Sequence, residues 1–482
     1  MTKQSNPIFN YKLMTLALLS ALGANAHAAT QPDAGQILQE VQPKTIQPMP
    51  QGQTLQLPEP GLLKEQAGGQ SVQLKSVTIS GNTVFTQEQL QAVLGDVTQQ
   101  PLDIGGMRRL ANQISQYYRD HGYPFARAYL PAQKLTDGVL KIDVLEGRYG
   151  QVLAKGELGQ EVQPFLNPLQ PGDLIQSSKL ERTTLLISDL PGIQITPVMK
   201  PGAQTGQGDL DLQVKEGKRY NGLVSLDNHG NRYTGANRLM ASINANRLAT
   251  LGDELSVSVM RTDEGMWFGN IGYSLPVGTD GLKATIGYSR TTYELGQDYA
   301  SLDAFGVADV VSAGLKYPLI RSQQTNVMLG AEVQRKTFTD ETGSTDTKTD
   351  KSTNTLPLSL AFDHRDALGG GGVTYGSLTF TAGDLNIETD SVRQSDATTA
   401  ETQGTYLKTN LDIARIQNIA NGFSGYARVS GQWSNKNLDS SEDMSLGGPR
   451  GVRAYPQGEA SGDHALLGQI EVRYQYQDFT PY

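Results

Sequence analysis

Apolar and polar positions alternate along this chain in three different ways. From Leu13 to Leu22 the apolar positions run together. Lys3 and Lys12 precede that run and Ala26-His27-Ala28 follows it, so 1–28 reads as a secretory signal peptide cut after Ala28. The run is too short for a spanning helix, which needs about 20 residues, and no later stretch approaches that length. From 32 to 42 the period is 3.6. Ala34, Ile37, Leu38 and Val41 share one face, and Pro32 and Asp33 suit a first turn. An isolated helix of this length is marginal in water and is expected to dock elsewhere on the protein. Pro48, Pro50, Pro58 and Pro60, with several Gln, make 44–70 a linker.

Residues 71–150 carry mixed periods. Val72, Leu74, Val77 and Ile79 predict a strand that ends at Gly81-Asn82. Thr86-x-x-Gln89 is a capping box ahead of a helix with Leu90, Val93 and Leu94. Asp103 caps a second helix with Met107, Leu110, Ile114 and Tyr117 on one face, and Gly122 and Pro124 stop it. Strands at 125–134 and 139–145 flank Asp137-Gly138, a hairpin signal. The order is β-α-α-β-β. Residues 151–218 repeat it, with strands at 152–157, 193–198 and 210–214, a short helical segment at 162–166, and a helix opened by the capping box Ser178-x-x-Glu181 and ended by Pro191-Gly192. Two tandem copies of about 70 residues form an internal repeat.

From 219 onward the period is two, and no further capped helix is expected. Leu255, Val257 and Val259 alternate with Ser256 and Ser258. Gly468, Ile470, Val472, Tyr474 and Tyr476 alternate with Gln469, Glu471, Arg473 and Gln475. Strands with one apolar and one polar face, about 12 of them at about 10 residues each, match a transmembrane β-barrel with a wet lumen. A barrel must close, because lipid satisfies no open strand edge. A short link at 277–281 contrasts with long polar loops at 339–355 and 388–403, and Tyr273, Tyr293, Tyr317, Tyr426 and Tyr476 are candidates for interfacial girdles. A soluble β-sandwich or solenoid also alternates, but the strand length and the signal peptide favour the barrel.

Composition narrows the chemistry. Forty Lys+Arg against 49 Asp+Glu leave −9, without the basic excess of a nucleic-acid binder. Only 18% of residues are charged, against about 25% in a typical soluble domain, and 53 are Gly. Zero Cys excludes thiol nucleophiles, disulfides and Cys-ligated zinc. The five His are scattered without metal-ligand spacing. His364-Arg365-Asp366 copies a kinase tripeptide without its companion motifs and reads as a strand end; Gly369–Gly372 lacks the Lys-Ser/Thr of a phosphate loop. No catalytic residue, metal or cofactor is expected.

The residues resemble a family, the two-partner secretion transporters of the ShlB/FhaC/HecB (TpsB) group. Pro32-Asp33-Ala34-Gly35 is similar to its N-terminal plug helix (29–43 here). Val77-x-Ile79-x-Gly81-Asn82-Thr83-x-Phe85, Gly122-Tyr123-Pro124, Arg127-Ala128-Tyr129-Leu130-Pro131 and Leu145-Glu146-Gly147-Arg148 resemble its first polypeptide-transport-associated (POTRA) domain. Asp189-Leu190-Pro191-Gly192 resembles the second, and Asp227-Asn228-x-Gly230 the first barrel strands. Val452-Arg453-Ala454-Tyr455, after Gly447-Gly448, is similar to a Val-Arg-Gly-Tyr motif at the tip of a loop folded back into the lumen, where the Arg pairs with an acidic residue of the wall. Ala454 departs from that pattern at a position where the family has Gly.

The resemblance implies a plug helix, two POTRA domains and an outer-membrane barrel of about 16 strands. With 27 residues after Tyr455 there is room for one more strand, so a C-terminal truncation is expected and the acidic partner of Arg453 is placed in the missing part. The implied function is export of one large unfolded partner protein, a haemolysin, adhesin, contact-dependent toxin or haem-binding protein, through a monomeric pore seated in outer-membrane lipid and lipopolysaccharide. The POTRA domains lie in the periplasm, and Tyr123, Arg127, Tyr129 and Leu130 are candidate substrate contacts. An assembly factor for other barrels is the alternative; it carries more POTRA copies. A passive porin needs none.

Overall fold

The computed structural model describes residues 31–42, 47–52, 62–135 and 137–475. The signal peptide and Tyr476 lie outside the described residues. Helix α1 (Ala34–Val41) comes first. The first unit follows as β1 (Ser76–Ser80), α2 (Gln87–Leu94), α3 (Ile104–Asp120), β2 (Arg127–Tyr129) and β3 (Val139–Leu145), the β-α-α-β-β order read from the sequence. Its sheet runs β1-β3-β2, with β1 parallel and β2 antiparallel to the central β3. Both halves of the Thr86/Gln89 capping box form, and Asp103 caps α3 through the Gly106 N–H. Leu63, inside the expected linker, packs on this unit. The Asn112 side chain on α3 exchanges two hydrogen bonds with its backbone. The strand expected at 125–134 shrinks to three residues, because the Gln133 amide replaces a ladder partner by bonding both N–H and C=O of Lys141.

Glu146 explains why three separate motifs recur in one unit. Its carboxylate accepts from the Thr83 N–H at 2.5 Å, the Val84 N–H at 2.8 Å, the Thr83 hydroxyl and the Tyr118 hydroxyl at 3.0 Å. Gly81 is left-handed there, and a Cβ would clash with the Val144 carbonyl. Burial pushes the Glu146 carboxyl up, but the bonds from Thr83, Val84 and Tyr118 outweigh it and hold it below the usual value. A carboxyl whose folded pKa is depressed stabilises fully above its unfolded pKa, and the contribution is lost as pH falls through the folded one. Glu146→Ala is therefore expected to destabilise this unit by roughly 2–3 kcal/mol at neutral pH, since buried donors lose their acceptor. The difference from wild type should shrink below about pH 4. Hydrogen exchange of 77–85 as a function of pH measures both.

Two residues separate β3 from the second unit. It comprises β4 (Arg148–Gly156), a short helix α4 (Gly159–Val162) running into a 3-10 turn (Gln163–Leu166), α5 (Ser177–Ser188), β5 (Ile193–Pro201) and β6 (Gln207–Glu216), with sheet order β4-β6-β5. It repeats the first topology around its own core. The capping box at Ser178 does not form. The helix begins two residues earlier, after Gln176, without a side-chain cap, and Glu181 instead accepts the Gln323 N–H from the large sheet.

That sheet has 12 strands: β7 (Tyr220–Asp227), β8 (Arg238–Asn246), β9 (Glu254–Thr262), β10 (Trp267–Pro276), β11 (Lys283–Glu294), β12 (Ala304–Arg321), β13 (Thr325–Thr342), β14 (Thr347–Asp366), β15 (Gly372–Ile387), β16 (Gly404–Ala420), β17 (Phe423–Ser434) and, after the two-residue strands β18 (Met444–Ser445) and β19 (Ser461–Gly462), β20 (Ala465–Tyr474). Neighbours in order are antiparallel. The expected closure is not seen among the described residues: β7 and β20 stand at opposite ends of the sheet.

The outer face carries the exposed apolar row that the alternation predicts; Ile286 is 61% and Ile470 86% exposed, as suits lipid contact. Two girdle assignments fail. Tyr293 is buried against the inner face, with its hydroxyl on Asp340, and Tyr426 is on the Glu471 side of the ladder, under the Arg473 guanidinium. The loop expected at 339–355 is a hairpin instead: β13 and β14 run on to a tight turn at 343–346, because strands projecting past the lipid need no apolar face. The 388–403 loop contains a short helix α6 (Asp390–Asp396) without a side-chain cap.

Candidate functional site

The inner face of the sheet encloses α1. Asp33 caps the helix by accepting the Gln36 N–H. Ala34, Ile37 and Leu38 are buried among Tyr233, Met260, Phe268, Tyr293, Val310 and Phe338, contributed by five successive strands and the β7–β8 connection; Val41 packs at the margin. These are the four apolar positions read from the 3.6 period. Gly35 lies against the Ser440-Ser441 backbone, where a Cβ would come within 2.7 Å. The helix is thus held between the wall and the 435–464 loop.

Buried charges fix that arrangement. Lys351 on β14 pairs with Asp33 at 2.8 Å and with Asp439 of the loop at 2.7 Å. The Ser440 hydroxyl donates to Asp33, and the Ala34 N–H donates to Asp340 at 2.8 Å. At the other end, Glu40 accepts from the Asn231 amide at 2.9 Å, while the Gln36 side chain donates to the Gly458 carbonyl of the loop and the Gln457 side chain of the loop donates to the Glu40 carbonyl. The loop has its own anchor: Glu442 lies between Lys336 and Lys408, 2.6 Å from each. Buried ions require such partners, since an unpaired one is costly.

Met49 and Pro50 mark where the segment after α1 reaches the opposite mouth. The Met49 N–H donates to Asp363, Arg365 donates to the Met49 carbonyl at 2.7 Å, and Arg321 donates to the Pro50 carbonyl at 3.1 Å. Arg321, fully buried, also makes a two-pronged pair with Asp189 at 2.7 and 2.8 Å. One guanidinium therefore joins the wall, the Asp189-Leu190-Pro191-Gly192 turn of the second unit and the segment following the plug. The kinase-like tripeptide is a strand end, as read; its Arg365 holds this segment.

The 452–455 motif sits in a turn closed by the Tyr455 N–H on the Val452 carbonyl at 3.0 Å. Ala454 is not left-handed, so no glycine is needed there. Arg453 pairs with Glu471 at 2.7 Å, and Glu471 also holds Arg473 at 2.9 Å. This corrects the placement of its partner beyond the chain: Glu471 lies on the inner face of β20, within reach of the loop tip. The guanidinium stays mostly exposed.

Of the candidate substrate contacts, Arg127 and Tyr129 lie on β2, an edge strand, with Tyr123 and Leu130 packing beside it. The edge itself is engaged: the Ala128 N–H donates to Ser115 of α3 at 2.9 Å. On β4, the Gln163 amide covers the backbone of Val152 and Ala154 in the same way. Sequence reading missed Lys336, Lys351, Lys408, Asp439 and Glu442. The available signal was parity: the three lysines occupy inward positions of their strands.

The family model for the haemolysin secretion/activation protein ShlB/FhaC/HecB matches residues 206–482, over half of the chain. The chain belongs to this family. A ShlB-type POTRA domain model matches 72–147, the first unit. The haem/haemopexin transporter protein HuxB of Haemophilus influenzae (strain 86-028NP) is 27% identical, over 98% of this chain and 85% of its own length. The outer membrane transporter CdiB of Dickeya dadantii is 23% identical, over 83% and 72%. The solved structure of CdiB from Escherichia coli superposes with a TM-score of 0.69 over 86% of this chain and 77% of that one, at 22% identity, and shows the shared fold. As a ShlB/FhaC/HecB member this protein is an outer-membrane two-partner secretion transporter, with POTRA structure in the periplasm and a barrel that exports partner proteins.

Proposed function

We propose that α1 and the 435–464 loop together form the gate of the export path, and that both are displaced from the lumen when a partner chain passes. The observation that carries this is Lys351, one cation paired with both the helix and the loop. The partner is a large exported protein of the haemolysin, adhesin, toxin or haem-binding kind; HuxB is named a haem/haemopexin transporter and HpmB a haemolysin transporter. It enters unfolded and meets the first POTRA domain through the side chains of Tyr123, Arg127, Tyr129 and Leu130, since the β2 edge is occupied. Strand addition suits β5 better. Its odd-numbered residues point their backbone away from β6, and among the described residues the Ile195 and Met199 amides donate to no protein group, although Pro197 between them offers no N–H and limits an added strand to short stretches. Folding outside then withdraws the extended chain from the equilibrium. Arg453 and Glu471 hold the loop tip in the closed state.

Co-expression with a large exported neighbour, followed by assay of the medium, tests export. Deleting 31–42 is expected to raise single-channel conductance without lowering membrane insertion. Unchanged conductance would remove the helix from the gate. Normal insertion with no export of any neighbour would favour the assembly-factor reading.

A further inference from the structure

On the outer face of β12–β15 lies a groove of ≈ 540 Å³. Its cause is local. Pro357 has no N–H to give to the ladder, and the β13–β14 pairing lapses between Ala331↔Leu358 and Gln334↔Thr355. Small outward residues, Ala313 and Ala382, keep the crease shallow-walled between Val311, Val333 and Leu356.

The groove's position follows from the register. Leu315, Ala331, Leu358 and Phe380 form one outward row of the apolar band. Two residues beyond the Ala313↔Val333 pair, on the side away from the second POTRA unit, the row changes to Val311↔Arg335↔Asn354↔Asp384. Arg335 therefore stands where the apolar band ends at the extracellular leaflet. The neighbouring rim arginine, Arg290, is neutralised by Asp309 at 3.2 Å. Arg335 is exposed and has no ion pair or hydrogen bond among the described residues.

We propose that this groove is a lipid site: it seats an acyl chain of an outer-leaflet lipid A molecule, with one of its phosphates on the Arg335 guanidinium. The proposal rests on the outer-membrane location of the barrel. The apolar crease supplies chain burial, and the unpaired planar cation at its upper end supplies the charge complement and the forked donors that a phosphate takes. Asp384, two strands away on the same row, opposes a second phosphate and sets the lipid's orientation, with its phosphate towards β13.

The test uses the full chain, purified in an uncharged detergent and titrated with bisphosphorylated lipid A, with its dephosphorylated analogue and with inorganic phosphate, the bound fraction being read by native mass spectrometry. Wild type should retain lipid A in preference to the phosphate-free analogue, and millimolar inorganic phosphate should not displace it. Arg335→Gln should weaken retention about five- to tenfold, as expected for loss of one charge-assisted contact, while Arg335→Lys keeps part of it. Asp384→Asn should strengthen it, and Ala313→Trp, filling the crease, should remove binding of both lipids. Equal retention by Arg335→Gln and wild type, or equal binding of the phosphate-free lipid, would overturn the proposal. Arg335 faces outward and touches no core, so this variant folds and inserts normally, which its melting temperature checks.

Discussion

Lys351→Met should unplug the lumen. The substitution leaves Asp33 and Asp439 facing each other without their shared cation. Breaking a buried pair by removing one partner costs about 3–5 kcal/mol, because the remaining charge stays desolvated. Even the lower figure changes the ratio of seated to released helix by about two powers of ten. Methionine has similar length without the charge, so the loss is electrostatic and includes the ammonium's position over the Phe338 ring. Single-channel recordings should show the variant approaching the conductance of the 31–42 deletion, and secretion-deficient cells carrying it should become permeable to large antibiotics. If Lys351→Met conducts like wild type while the deletion conducts more, the apolar face alone seats the helix.

Glu442→Ala should free the loop while leaving the helix its own contacts with the wall. Lys336 and Lys408 both end on this one carboxylate, and neither reaches another acid among the pairs described here. Removal leaves two enclosed ammonium groups in mutual repulsion, again at about 3–5 kcal/mol. Glu442→Gln should fall between, since its carbonyl oxygen still accepts from one lysine. Trypsin added outside the cell reads the result at Arg450 and Arg453: cleavage within 435–464 should speed up by at least about tenfold in the alanine variant. An unchanged cleavage rate would show that Arg453–Glu471 and the contacts with α1 suffice to hold the loop.

The parts of this structure that were readable in advance are those set by local chemistry. Thr86 and Asp103 cap their helices because the cap lies within one turn of its own residue. The 3.6 period of α1 already named the face that is buried, although not what buries it. Alternation gave the inward and outward sides of β9 and β20 correctly. It failed where a residue type was trusted over its place in the alternation. Tyr293 shares its parity with Ser289 and Thr291, both inward, and this outweighs its residue type as a membrane-interface aromatic. The 339–355 hairpin looks like a loop in sequence because extracellular strand ends lack the apolar half of the pattern. The lumen ion pairs join residues up to 318 positions apart in the chain, and only the curvature of the sheet brings them together.

The segment joining the plug to the first POTRA domain has a kinetic meaning. Twenty residues separate Gln42 from Leu63, which is fastened to α3. At about 3.5 Å each, they span at most about 70 Å. A helix expelled from the pore on the periplasmic side therefore remains on a leash, at an effective concentration of the order of millimolar. Reseating is then a first-order event, indifferent to how many copies the membrane holds. On the proposed gating, the permeability barrier would restore itself once the last of the cargo has cleared the channel, with no second protein needed to close it.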